Sequence, residues 1–119
     1  MNIGIVTTWF ERGAAYVSKA YMEALQRQGH SVYIFARGGE YAQGNPSWDI
    51  PNVTWAKRYA PLGRISRFDG LYINMIQFER WLRNRDIDVI IFNEEHSFDI
   101  VRRVRKLGYT AGAYIDYYK

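Results

Sequence analysis

Two short stretches of this chain combine residue types that could do chemistry. The first, Asn93-Glu94-Glu95-His96-Ser97, places two carboxylates and an imidazole directly after the most apolar run of the sequence, Asp88 to Asn93. Such groups can move a proton to or from a hydroxyl when they are held within hydrogen-bond reach of it. The second stretch, Thr7 to Ala15, ends in the small pair Gly13-Ala14, where a helical pattern begins. A helix that opens on small residues can bring its backbone N–H groups close to a phosphate or carboxylate. Each stretch also has a plainer reading. Gly13 then only allows a tight turn, Ala14 only packs close, Glu95 is a solvated turn residue, and Glu94 interacts with a helix start.

The elements that must position these groups follow from the pattern of apolar residues. Asn2 to Thr8 is a short, partly β-branched run of the kind buried on both faces of a sheet. Ala14, Val17, Tyr21, Ala24 and Leu25 then fall on one helix face, and Gly29 suits the left-handed residue after a helix end. Ser31 to Ala36 is the second strand, so the first third of the chain is a βαβ unit with parallel strands. Arg37 to Pro51, rich in Gly, Asn, Pro and Ser, is a loop long enough to be functional or mobile. Val53 to Ala56 is a short third strand, and Lys57 to Arg67 is a second, basic loop. Ser66 and Asp69 can cap a helix whose apolar face is Leu71, Met75, Phe78 and Leu82, with Tyr72, Ile76 and Trp81 beside it. That helix is expected to end near Arg83 to Arg85. Asp88 to Asn93 is a fourth, central strand. Ser97 caps a third helix, closed by Lys106-Leu107-Gly108, and Tyr109 to Ile115 is a fifth strand.

This order predicts one α/β domain over residues 1–119: a Rossmann-like open parallel sheet of about five strands with helices on both faces. With strand order 3-2-1-4-5, the first and fourth strands are neighbours and a crevice opens beyond their carboxyl ends. Both chemically interesting stretches lie at that crevice. Asp116, at the end of the fifth strand, lies near the same edge or is simply a polar strand terminus. Arg37, Arg58, Arg64 and Arg67 come from strand-end loops and could bind an anionic group, although each arginine taken singly is ordinarily a solvated surface residue. Arg102, Arg103, Arg105 and Lys106 lie on a helix away from these loops and read as a solvated face, with attraction to a membrane surface as a second reading.

Composition narrows the field. With 119 residues, 48% hydrophobic and 17% aromatic, the chain can bury a core. It has no cysteine, which excludes disulfides, cysteine-ligated zinc and thiol catalysis. The first strand begins directly after Met1 and no apolar run approaches the roughly 18 residues needed to span a bilayer. An intracellular, soluble protein is expected on that basis. The net charge of +4 fits an anionic partner, but no nucleic-acid-binding signature is visible and none is expected to bind.

The N-terminal strand, the small-residue turn and the helix ending in Gly29-His30-Ser31-Val32 resemble the start of GT-B glycosyltransferases. More narrowly, they resemble the large, mostly retaining group 1 / family 4 type, which includes many lipopolysaccharide and capsule enzymes. Those show a Gly-Gly turn and a Gly-His-x-Val step into the second strand; here Gly13 is kept and Ala14 stands at the second glycine. The resemblance implies that the chain is the N-terminal, acceptor-side half of a two-domain enzyme, whose C-terminal donor domain is absent from it. It implies transfer of a sugar from a nucleotide diphosphate sugar to a glycan or lipid-linked acceptor hydroxyl, with no tightly bound cofactor and no metal. It implies cytoplasmic work, with peripheral association at the inner face of the membrane. For the site, it implies catalytic roles at Glu94, which matches the family's acid, and at His96 and Asp116. Substrate binding is expected at Gly13, Ala14 and Asn93, which stands where the family often has histidine, and, from their place in strand-end loops, at Arg37, Arg64 and Arg67. The chain by itself is expected to be inactive, because half of the cleft lies in the other domain.

A non-catalytic α/β binding or interaction module fits the composition equally well. A dinucleotide oxidoreductase would need G-x-G-x-x-G after the first strand and an acid ending the second; Ala36-Arg37 stands there instead. A phospho-receiver domain would need an acidic pair where Thr7-Thr8-Trp9 is found.

Overall fold

A computed structural model describes residues 1–37, 42–57, 75–93, 102 and 104–114. Its elements are β1 (Asn2–Thr8), α1 (Gly13–Arg27), β2 (Ser31–Arg37), β3 (Val53–Trp55), α2 (Met75–Asn84), β4 (Val89–Asn93) and β5 (Thr110–Tyr114). Residues 104–106 are also helical. All four strand pairings are parallel, and the order across the sheet is β3-β2-β1-β4-β5. This is the Rossmann-like arrangement expected from the pattern, with β1 in the middle and β4 paired on both sides. The helix starts proposed at Ser66 and Ser97 lie outside the described residues.

Strand alternation explains why both faces are covered. Successive side chains of a strand point to opposite faces. Ile3 and Ile5 of β1 and Val32, Ile34 and Ala36 of β2 join Ala15 and Met22 of α1 in one core. Val6 of β1, Phe35 of β2 and Ile90 and Phe92 of β4 join Phe78, Trp81 and Leu82 of α2 in the other. In β1, β2 and β4 alike, one strand therefore feeds two cores. That is why these strands read as continuous apolar runs instead of polar-apolar alternations.

Each helix meets the sheet through a narrower stripe than its apolar pattern suggested. On α1 the buried residues are Ala14, Ala15, Ser18 and Met22, while Tyr21, assigned above to the buried face, is 42% exposed. Small side chains let the helix lie close over the sheet, and a tyrosine does not fit beneath it. On α2, Phe78, Trp81 and Leu82 are buried, whereas Ile76 is 71% exposed and points away from the core. Trp81 comes so close to β1 that a Cβ on Gly4 would lie 2.6 Å from its Cη2. The end of α1 is as expected: Gly29 has φ 91°, and the His30 amide donates back to the Leu25 carbonyl at 3.1 Å.

The described part of the long loop after β2 is packed down, not open. Trp48 is buried, its ring 5.2 Å from Trp9 and 5.4 Å from Tyr16. Trp9 Nε1 donates to the Trp48 carbonyl at 2.6 Å. Asp49 ties the loop to β3, accepting from Trp55 Nε1 at 2.8 Å and from the Gly44 amide at 2.7 Å. These two donors, the indole first, hold the Asp49 carboxyl below its ordinary pKa.

Candidate functional site at the carboxyl edge of the sheet

The carboxyl ends of β1, β2 and β4 and the head of α1 meet at one edge, and buried hydrogen bonds join them. Thr7, Ser18, Arg37 and Asn93 are the buried polar residues of the described chain, each no more than 2% exposed. Asn93, the last residue of β4, donates through Nδ2 to the Ala14 carbonyl at 2.9 Å and to Ser18 Oγ at 2.5 Å. Ser18 Oγ lies 2.7 Å from Thr7 Oγ1, whose own proton goes to the Thr8 carbonyl at 2.8 Å. The direction of the relay follows: Asn93 donates to Ser18, Ser18 to Thr7, and Thr7 to the β1 backbone. From β2, Arg37 reaches past the end of β1 and its Nη2 donates to the Asn93 carbonyl at 2.8 Å.

These bonds assign roles to three of the residues singled out in the sequence. Arg37 and Asn93 are interior groups that lock the three strand ends and the helix together. The solvated-surface reading of arginine is thus incorrect for Arg37, which is 1% exposed. Ala14 is packed against the sheet and lends its carbonyl to Asn93. Gly13 differs. It is the exposed first residue of α1, its backbone is helical, and a Cβ placed there meets nothing within 4 Å. Neither a left-handed turn nor crowding by the fold therefore requires glycine at this position.

The electrostatics of the α1 head suit an anion. Arg12, the residue before the helix, makes no side-chain cap, and the first turn contains no acid. The earliest amides bonded into the helix are those of Ala15 and Tyr16, both donating to the Arg12 carbonyl at 3.1 and 3.2 Å. The partial positive charge of the helix start is consequently not offset by a neighbouring carboxylate of its own first turn. At the ends of β4 and β1, Asn93 Oδ1 and Thr8 Oγ1 are buried without a hydrogen-bond partner among the described residues.

Glu94, His96, Asp116, Arg64 and Arg67 lie outside the described residues, as does Arg58. What is placed is the residue before Glu94: Asn93 is fixed on both its side chain and its carbonyl. Thr7 and Ser18 were not singled out from the sequence. The available signal was a hydroxyl four residues after Ala14, on the same helix face, where an apolar residue is the norm.

Among the described residues no helix is long and apolar enough to cross a membrane. A search of curated proteins finds no match. The model of Glycosyltransferase Family 4 matches residues 12–112, a span that contains α1, β2, β3, α2, β4 and the start of β5. The chain therefore belongs to Glycosyltransferase Family 4, with the α/β fold of the N-terminal half of a GT-B glycosyltransferase.

Proposed function

We propose that this chain forms the acceptor-side half of a cleft in which a sugar passes from a nucleotide diphosphate sugar to a hydroxyl of a glycan or lipid-linked acceptor. The observation that carries the reading is the open head of α1. Gly13 is not demanded by the local fold, a Cβ there would meet nothing within 4 Å, and the first turn contains no acid. A phosphate of the donor, or an anionic group of the acceptor, is the complement of that arrangement. The Asn93–Ser18–Thr7 relay and the Arg37 bond supply rigidity beneath it, which positioning of two substrates requires.

In this proposal Glu94 stands next to the acceptor hydroxyl and polarises it, with His96 and Asp116 at the rim. With retention, the departing diphosphate takes the acceptor proton, so Glu94 orients more than it deprotonates. Arg64 and Arg67 bind the anionic part of a lipid-linked acceptor, and peripheral contact with a membrane surface follows from such an acceptor. A donor-side domain completes the cleft.

The test is made in the enzyme that joins this chain to its donor-side domain. Gly13→Val puts a branched side chain into the open space, and its melting temperature is expected within about 5 °C of the parent. Sugar transfer should fall about tenfold or more, since the substrate phosphate is displaced. Glu94→Gln should lower kcat by about a hundredfold while KM for the donor changes little. Full activity of Gly13→Val with an unchanged melting temperature would rule out this reading of the α1 head.

A further inference from the structure

On the α2 face of the sheet, a cavity of about 390 Å³ opens between α2 and β3, lined by Thr54, Gln77, Arg80, Trp81, Asn84 and Arg85. Its volume is that of a site for a small organic ligand. The cavity lies on the α2 face of the sheet, where Trp81 joins the core, and α1 packs on the other face. It is therefore separate from the α1 head, and nothing in the reading of that site requires it.

The chemistry of the lining has one sign. Two of the lining residues are arginines and none is acidic. Arg85 is already ordered, with its guanidinium 5.1 Å from the centre of the Tyr33 ring, so little conformational freedom remains to be lost on binding. Gln77 is a strut more than a ligand-binding group. Its Oε1 accepts from the Lys57 amide at 2.7 Å and its Nε2 donates to the Trp55 carbonyl at 3.0 Å, tying α2 to the end of β3.

Trp81 supplies the most informative atom. It is 4% exposed, yet its indole N–H is buried without an acceptor among the described residues. Trp9 and Trp55, by contrast, donate to the Trp48 carbonyl and to Asp49. A buried donor without an acceptor is destabilising, and an incoming oxygen relieves that cost. The far end of the Trp81 six-membered ring is committed to Gly4, where it makes the close approach to β1. The side chain that lines the cavity thus carries a donor for which the described residues offer no oxygen.

We propose that this cavity binds a small phosphate ester, with its phosphate oxygens between Arg80 and Arg85 and an oxygen within reach of the Trp81 N–H. Guanidinium forks match phosphate oxygens in pairs, which a single surface lysine does not. The cavity is larger than an inorganic phosphate fills, and Thr54 and Asn84 offer hydroxyl and amide groups to the organic part.

The experiment follows the indole N–H signals of the 15N-labelled chain during titration with inorganic phosphate and, separately, glucose 6-phosphate. Trp81→Phe identifies the Trp81 signal by its loss. Both probes should move that signal saturably, the ester at lower concentration, and Arg80→Gln or Arg85→Gln should each weaken binding about tenfold. Sodium chloride at matched ionic strength should leave the signal in place. A shift reproduced by chloride, the absence of any saturable shift, or binding indifferent to both arginine substitutions would overturn the proposal. Binding of inorganic phosphate with exclusion of the ester would overturn it as well.

Discussion

Asn93 shows how much a single amide can determine at a strand end. Both of its N–H protons are used, one on Ala14 and one on Ser18, and its carbonyl is held by Arg37. Asn93→Ala removes two donors and leaves the Ala14 carbonyl and Ser18 to find other partners, a loss of about 2 kcal/mol in urea unfolding. Asn93→Asp keeps the shape but turns both donors into acceptors beside a carbonyl oxygen and buries a charge. It should be the worse substitution, by about 3 kcal/mol or more relative to the parent. A ranking with Asp milder than Ala would contradict the direction assigned to the relay. At this scale the sequence was only partly legible. The polar character of Asn93 and its place after an apolar strand could be read directly. Its inward orientation could not, because that depends on Ser18 and Thr7 arriving from two other elements. Arg37 was hidden for the same reason: an arginine at a strand end looks solvated until the carbonyl that receives it is known.

Among the elements, β1 and α2 approach each other closely at Gly4. With Trp81 Cη2 only 2.6 Å from where a Cβ on Gly4 would stand, Gly4→Ala must move the indole or part the helix from the sheet. A loss of about 1–3 kcal/mol is expected from such overpacking. Adding Trp81→Phe should recover part of it, so that the two losses are not additive; additive losses in urea unfolding would contradict direct contact. The loop before β3 gives a pH-dependent counterpart. Asp49 has a lowered pKa in the folded state, so its contribution is complete above the unfolded value and is lost as pH falls from 3.8 through the lower folded value. Tryptophan emission should report release of the loop over that acid range, and Asp49→Asn should abolish the step. Strands and helix ends were read well from the sequence because β-branched runs and Gly29 carry local signals. Helix faces were read less well: Tyr21 and Ile76 fit the period but not the stripe, whose width is set by how closely each helix approaches the sheet.

For the molecule as a whole, strand order was the most legible feature. A βαβ start and an apolar fourth strand leave few ways to arrange a parallel sheet, and the arrangement places the α1 head beside the end of β4. Family membership follows from most of the chain and not from one motif. The acids proposed for catalysis were legible only as types in a turn, since a turn carries no periodicity from which geometry can be inferred. The two-core construction has one more consequence, an optical one. Trp9, Trp48 and Trp55 lie on the α1 side of the sheet, and Trp81 alone of the four lies on the α2 side. Intrinsic emission therefore watches one layer of the protein far more than the other, whereas far-ultraviolet circular dichroism watches both. Because β1, β2 and β4 each contribute side chains to both layers, the two signals should melt along the same curve. Curves that separate would show that one face of the sheet can be stripped while the other stays intact.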